Sequence, residues 1–139
     1  MTSEQRQPKI AHADEVASLL VEHLPELRFA YVFGSAAADR LGPDSDFDIA
    51  VDAGRRLEAD ELMELSGRLA SVVGRTVDLV DLLDAGAILN MQVLRRGRLI
   101  TCRDERALAE FKMYTPSIYA DWKHLRRPID EALIRRIRS

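Results

Sequence analysis

Asp46 and Asp48 stand two residues apart, and a Gly34-Ser35 pair lies ten residues ahead of the first of them. In an extended strand, residues i and i+2 point to the same face. The two carboxylates therefore project together, roughly 6–7 Å apart along the strand. Side by side they repel unless a cation lies between them or one takes up a proton. Hard oxygen donors of this kind suit Mg²⁺, which keeps several waters and is usually shared with the phosphates of a substrate. The glycine lets backbone approach a phosphate closely, and the serine adds a hydroxyl and an N–H. If a helix starts at this pair, its exposed N–H groups favour anions as well. The combination points to a metal–triphosphate site, in which metal ions neutralise and align the phosphates and stabilise the leaving group.

A third carboxylate would complete such a site. Asp78 and Asp81 both lie on a later apolar, branched run, Thr76 to Leu82. Three residues apart on a strand, they face opposite sides, so only one joins the cleft. Asp78 lies between Val77 and Leu79, which read as the buried parity, and it is the one chosen. A one-residue slip of register would reverse that choice.

The elements that must hold these residues follow from periodicity. Val16, Leu19, Leu20 and Leu24 recur at helical spacing, and Pro25 closes the run. Arg28 to Phe33, rich in Tyr, Val and Phe, suits a strand that stops at Gly34. A loop punctuated by Gly42-Pro43 follows. From Asp46 the chain alternates, with Asp46, Asp48, Ala50 and Asp52 on one parity and Phe47, Ile49 and Val51 on the other. That is a half-buried strand with an acidic front and an apolar back. Asp52, on the acidic parity, could sit at the rim of the cleft, but plain solvent exposure is the expectation. Leu62, Leu65, Leu69 and Val73 mark an amphipathic helix closed by Gly74. Ile88 to Leu94 reads as helix ending at Gly97, Leu99 to Thr101 as a short last strand, and the chain from Asp104 as helix broken by Pro116 and Pro128.

The expected fold is α+β: a small mixed sheet of three or four strands with helices packed on one face. The other face is left as an acidic cleft. Residues 1–103 are read as the core, and 104–139 as a helical, basic tail of the same domain, suited to docking a partner.

Composition bounds the rest. The chain has 139 residues and a mass of 15.7 kDa, one domain's worth, long enough to bury a core. It is 47% hydrophobic and 31% charged, the balance of an ordinary globular protein. A net charge of −3 argues against a general nucleic-acid coat, and direct nucleic-acid binding is not expected. Charge is uneven, however. Residues 123–139 hold six cations against two acids, a net of +4, which leaves −7 on the other 122 residues. A solvated helix end would explain this, as would a docking surface. Phe111, Tyr114, Tyr119 and Trp122, just ahead of the basic end, read first as packing groups and, with it, as a candidate partner surface.

The single cysteine, Cys102, rules out an internal disulfide and a multi-cysteine zinc site. No apolar run reaches the roughly 18 residues of a membrane span, and the polar N-terminus lacks the apolar core of a signal peptide. The cytoplasm is therefore the expected compartment. His12, His23 and His124 are scattered, without a metal-binding spacing. Asp44, Asp46 and Asp48 mimic the start of a calcium-binding EF-hand loop. That loop needs Gly at its sixth position and Glu at its twelfth, where this chain has Ile49 and Arg55. Neither a P-loop nor a Rossmann fingerprint is present.

Gly34-Ser35, ten residues, Asp46-x-Asp48 on an alternating strand and then Asp78 on a later one resemble the nucleotidyltransferase superfamily of the DNA polymerase beta type. The motif region spans residues 31–80. The length resembles the minimal nucleotidyltransferase (MNT) branch, and within it the MntA-type antitoxins paired with HEPN-domain toxins. Tyr119-Ala120-Asp121-Trp122 is similar to a tail element of that branch. The resemblance implies that Asp46 and Asp48 bind two Mg²⁺ ions. It implies that Asp78 ligates one of them and helps activate the attacking hydroxyl, and that Gly34 and Ser35 hold the β- and γ-phosphates of ATP. The implied reaction transfers AMP to a tyrosine hydroxyl of a HEPN RNase toxin, which silences it, and releases pyrophosphate. One departure stands out. Many members carry Arg three residues after the Ser, then Gly; here those positions are Ala38 and Asp39. Arg40 is the candidate to replace that arginine at the nucleotide. Two alternatives remain beside this reading: a non-catalytic antitoxin that acts by contact, and an adenylyltransferase of a small-molecule hydroxyl.

Overall fold

Four short runs of branched and aromatic residues pair into one sheet, and the spacing of apolar residues between them decides which helix covers which face. The computed structural model describes residues 10–38, 42 and 45–138. In chain order the elements are α1 (Ala13–His23), β1 (Phe29–Phe33), β2 (Phe47–Asp52), α2 (Ala59–Val73), β3 (Val77–Asp81), α3 (Ala87–Arg96), β4 (Arg98–Cys102) and α4 (Glu105–Arg138). The strand order is β3-β2-β1-β4. β1 is antiparallel to both β2 and β4, while β2 and β3 are parallel. This is a mixed sheet in an α+β domain.

A parallel pair needs a crossover, and α2 supplies it. Its start is fixed by a capping box between Glu58 and Glu61, and its end by Gly74 in the left-handed region at φ +74°. Leu65, Leu69 and Val73 of α2 and Val16 and Leu20 of α1 pack on Val32, Ile49, Val51 and Leu79 of the sheet. Each fully buried side chain of this size contributes roughly 1.5–3 kcal/mol, which makes this layer the main hold on β2 and β3.

The opposite face is also covered in part. Phe29, Tyr31 and Ala50 lie beneath Val93 of α3 and Ala107 and Leu108 of α4. Phe111 of α4 sits 5.2 Å from the Phe29 ring and 5.9 Å from that of Tyr31. The expectation of helices on a single face is corrected here: two helices cover each face. The signal was weak because α3 buries only Val93, and α4 touches the sheet through a few residues at its start. The acidic front is confined to the Asp48 end of that face.

α4 runs on through Pro116 and Pro128, where the sequence reading placed breaks. A proline removes one backbone hydrogen bond and crowds the carbonyl four residues back, but the bonds on either side can still form. At about 1.5 Å per residue the helix is ~50 Å long. Beyond Trp122 every described side chain is exposed, Leu125 at 72% and Ile137 at 77% among them. Among the described residues, no helix is long and apolar enough to cross a membrane. Residues 1–9, on which the absence of a signal peptide was read, lie outside the described residues.

Candidate active site

The ends of three neighbouring strands meet at the site. β1 finishes at Phe33, whose register partner on β2 is Asp48. The next residue, Gly34, has φ +66° and opens a turn in which the Ala38 N–H donates to the Gly34 carbonyl at 3.3 Å. A Cβ on Gly34 would collide with a carboxylate oxygen of Asp48. Backbone conformation and close approach both demand glycine here. Ser35 follows in the same turn, half-buried.

On the other side of β2, Asp48 stands in parallel register with Asp78. The two aspartates thus share the sheet face that Phe33 also occupies. Asp81 pairs instead with Val51 of the opposite face. It is buried, and its carboxylate accepts the Leu57 N–H at 2.9 Å and the Leu83 N–H at 3.0 Å. Asp46 is the residue before β2, exposed at the mouth of the strand. The structure therefore brings Gly34, Ser35, Asp46, Asp48 and Asp78 to one end of the sheet and keeps Asp81 away. Arg40 lies outside the described residues.

None of the three site carboxylates accepts a hydrogen bond among the described residues. Asp48 shows the consequence. Partial burial, then the charge of Asp78, then that of Asp46 push its carboxyl up to about 6. A cation would relieve that repulsion. Among the described residues no three His, Cys, Asp or Glu side chains close into a ready metal cage. The donor set is instead open and all-oxygen, which fits a hard ion that keeps waters and takes its remaining ligands from substrate phosphates.

Two residues behave differently from expectation. Asp52 is only 6% exposed. Its Oδ1 accepts the Gly54 N–H at 2.9 Å, and Arg28 lies 3.9 Å from its Oδ2. It sits opposite Phe29, at the end of the front face that the second core layer covers, so it belongs to the fold and not to the cleft. Arg75 was not singled out at all. Its guanidinium donates to the Gly42 carbonyl at 2.8 Å and to the Ser45 carbonyl at 3.1 Å, just ahead of Asp46. No spacing rule signals a contact across 30 residues to main-chain oxygens. Farther off, Tyr119 and Trp122 of α4 stack at 6.3 Å, with Arg95 over the first ring and Arg126 over the second, each at 5.3 Å.

Known proteins share this architecture. The family described as Polymerase beta, Nucleotidyltransferase matches residues 14–106. The protein adenylyltransferase MntA of Shewanella oneidensis is 36% identical over 98 residues, which cover 69% of this chain and 70% of that protein. A crystal structure of a toxin–antitoxin with AMP-PNP contains a chain that superposes with a TM-score of 0.80 at 31% identity, over 88% of this chain and 98% of that one. The complex of a tri-AMPylated Shewanella oneidensis HEPN toxin with an MNT antitoxin gives a TM-score of 0.76 at 30% identity, over 88% and 96%.

Proposed function

Because the chain belongs to the polymerase beta nucleotidyltransferase family, we propose that it is a protein adenylyltransferase that moves AMP from ATP to a tyrosine hydroxyl of a HEPN-domain toxin. By this reading it is the toxin's antitoxin, working in the cytoplasm. The observation that carries the proposal is the register of Asp48 with Asp78 beneath the Gly34 turn, with Asp48 pushed up to about 6 by burial and by the charges of Asp78 and Asp46. Likeness to an MntA adenylyltransferase and to chains from toxin–antitoxin complexes supports the choice of nucleotide and acceptor.

Asp46 and Asp48 would hold two Mg²⁺ ions and Asp78 would share one. Bound there, the ions would supply charge neutralisation of the triphosphate and of the leaving pyrophosphate. The Gly34 turn brings backbone close to the β- and γ-phosphates, and Ser35 offers its hydroxyl and N–H to the same oxygens. Asp78 is at the exposed edge of the carboxylate pair, where it can take the proton of the incoming hydroxyl. A bond then forms between that oxygen and the α-phosphorus. The bond from the α-phosphorus to the bridging oxygen breaks, and pyrophosphate carries off the electron pair. Arg40 is assigned to the phosphates in place of the arginine that many members carry at the Ala38 position.

Intact-mass spectrometry of a HEPN toxin incubated with the chain, ATP and Mg²⁺ tests this. The expected result is a gain of one or more AMP groups on the toxin, absent with the Asp46→Ala/Asp48→Ala double variant. Neutralisation by wild type and variant alike, without any gain in mass, would establish the contact-only alternative.

A further inference from the structure

Asp46 has an unusual burden for a metal-binding side chain. It is exposed, precedes the strand, and its carboxylate accepts no hydrogen bond among the described residues. Among the described residues, only contacts to its flanking backbone hold it in place. Both peptide groups that flank it are tied to the segment leading into β3. On one side the Ser45 carbonyl accepts from Arg75 at 3.1 Å, and the same nitrogen reaches the Gly42 carbonyl at 2.8 Å. On the other side the Phe47 N–H donates to the Thr76 carbonyl at 2.9 Å. The chain reaches Arg75 through Gly74, whose left-handed conformation ends α2, and continues through Thr76 and Val77 to Asp78. The same short segment therefore carries one carboxylate of the site and clamps the peptide in front of another.

We infer that Arg75 is a positioning residue: by holding the Gly42 and Ser45 carbonyls it fixes the peptide ahead of Asp46 and so the distance and direction of its carboxylate relative to Asp48 and Asp78. The inference rests on the adenylyltransferase reading only in taking these carboxylates as the metal-binding set. Arginine suits the task because one planar guanidinium nitrogen carries two protons in fixed directions. Both go to main-chain oxygens, so the cation ties the loop without engaging a site carboxylate. Changes to groups that orient metal ligands typically cost 10–100-fold in metal affinity or activity, and Arg75 stands in that relation to Asp46.

The test is Mn²⁺ binding by the full chain, followed by electron paramagnetic resonance with AMP-PNP present, for wild type, Arg75→Lys, Arg75→Ala and Asp46→Asn. Thermal melts and AMP-transfer kinetics run alongside. Arg75→Ala should weaken Mn²⁺ binding by about 10–100-fold, approaching Asp46→Asn, and should move the Mg²⁺ dependence of transfer by a similar factor. Arg75→Lys should recover part of both, since an ammonium can still donate to the carbonyls. Should Arg75→Ala fail to fold, Arg75→Gln keeps a neutral donor and should fall between alanine and lysine. A Mn²⁺ curve for Arg75→Ala, or for Arg75→Gln in its place, that superposes on wild type overturns the inference. So does a raised KM for ATP with Mn²⁺ binding intact, which would make Arg75 a phosphate contact. So does a wild-type chain that takes up no Mn²⁺. A wild-type chain that binds Mn²⁺ but transfers no AMP would sink the adenylyltransferase reading and leave this one standing.

Discussion

At one end of the β2–β3 pair, Asp48 and Asp78 stand in register and accept no hydrogen bond among the described residues; at the other, Asp52 and Asp81 are buried and accept backbone N–H groups. The residue type and the two strands are the same, and the separation is only three or four residues. The difference lies in what faces each carboxylate. Asp81 ties the approach to α2 and the exit from β3 to its two oxygens, and Asp52 closes the turn at Gly54. Those charges stabilise the fold because donors meet them at fixed positions. At the Asp48 end the described residues supply no donor, and burial and the like charges of Asp78 and Asp46 raise the Asp48 carboxyl. The molecule gives up stability there and leaves the carboxylate oxygens open.

Substitutions at the two ends should therefore fail in opposite ways. The largest effect is expected from Asp46→Asn/Asp48→Asn. AMP transfer should fall on the order of a thousandfold or more, as a loss of several kcal/mol of charge stabilisation implies. The melting temperature should hold or rise, which a thermal melt without metal would check. Asp81→Ala is next. It leaves the Leu57 and Leu83 N–H groups without their acceptor, at a cost of about 2–4 kcal/mol. Transfer per folded molecule, assayed well below the melt, should stay within a few-fold of wild type. Asp52→Ala removes one backbone acceptor and a long ion pair to a half-exposed Arg28, so about 1 kcal/mol is expected in denaturant unfolding. If either far-end variant lost transfer without losing stability, the division between the two ends would be wrong.

Much of this division was legible in the sequence, for physical reasons. Gly34-Ser35 and Asp46-x-Asp48 carry their meaning in local geometry, since strand parity alone puts both aspartates on one face. Asp78 was chosen over Asp81 on parity with Val77 and Leu79, and the β2–β3 register sets it opposite Asp48. Parity failed at Asp52 because it names a face without saying where a helix covers that face. Phe111 and the start of α4 come from more than fifty residues away. The same blindness to distant partners hid Arg75, whose acceptors are main-chain oxygens across the loop. The prolines of α4 misled in the opposite sense: a local rule foretold breaks, and the helix passes through both positions.

An effect no larger than that of Asp52→Ala separates the two ends most cleanly, because it depends on protons alone. Asp48 titrates at about 6 in the folded chain against an ordinary value of 3.8. Between about pH 4 and pH 6 the folded state keeps a proton that the unfolded state has released. Stability from this group therefore falls as pH rises through that window and stays level above it. Below about pH 4 both states are protonated and the effect vanishes. Asp48→Asn cannot titrate, so its melting temperature minus that of wild type should be near zero at pH 4 and positive above pH 6. Discounted for the carboxylate's access to solvent, the plateau should be about 1 kcal/mol, or a few degrees. Asp78→Asn should lower the midpoint of the wild-type curve by removing the nearest like charge. Mg²⁺ should shrink the gap between wild type and Asp48→Asn above pH 6, where the carboxylate is ionised, and leave it unchanged at pH 4. A gap that stays constant from pH 4 to pH 8 would mean that Asp48 titrates in the folded chain where it does in the unfolded one. The burial and like-charge repulsion that raise Asp48 would then be absent, and with them this contrast between the two ends of the sheet.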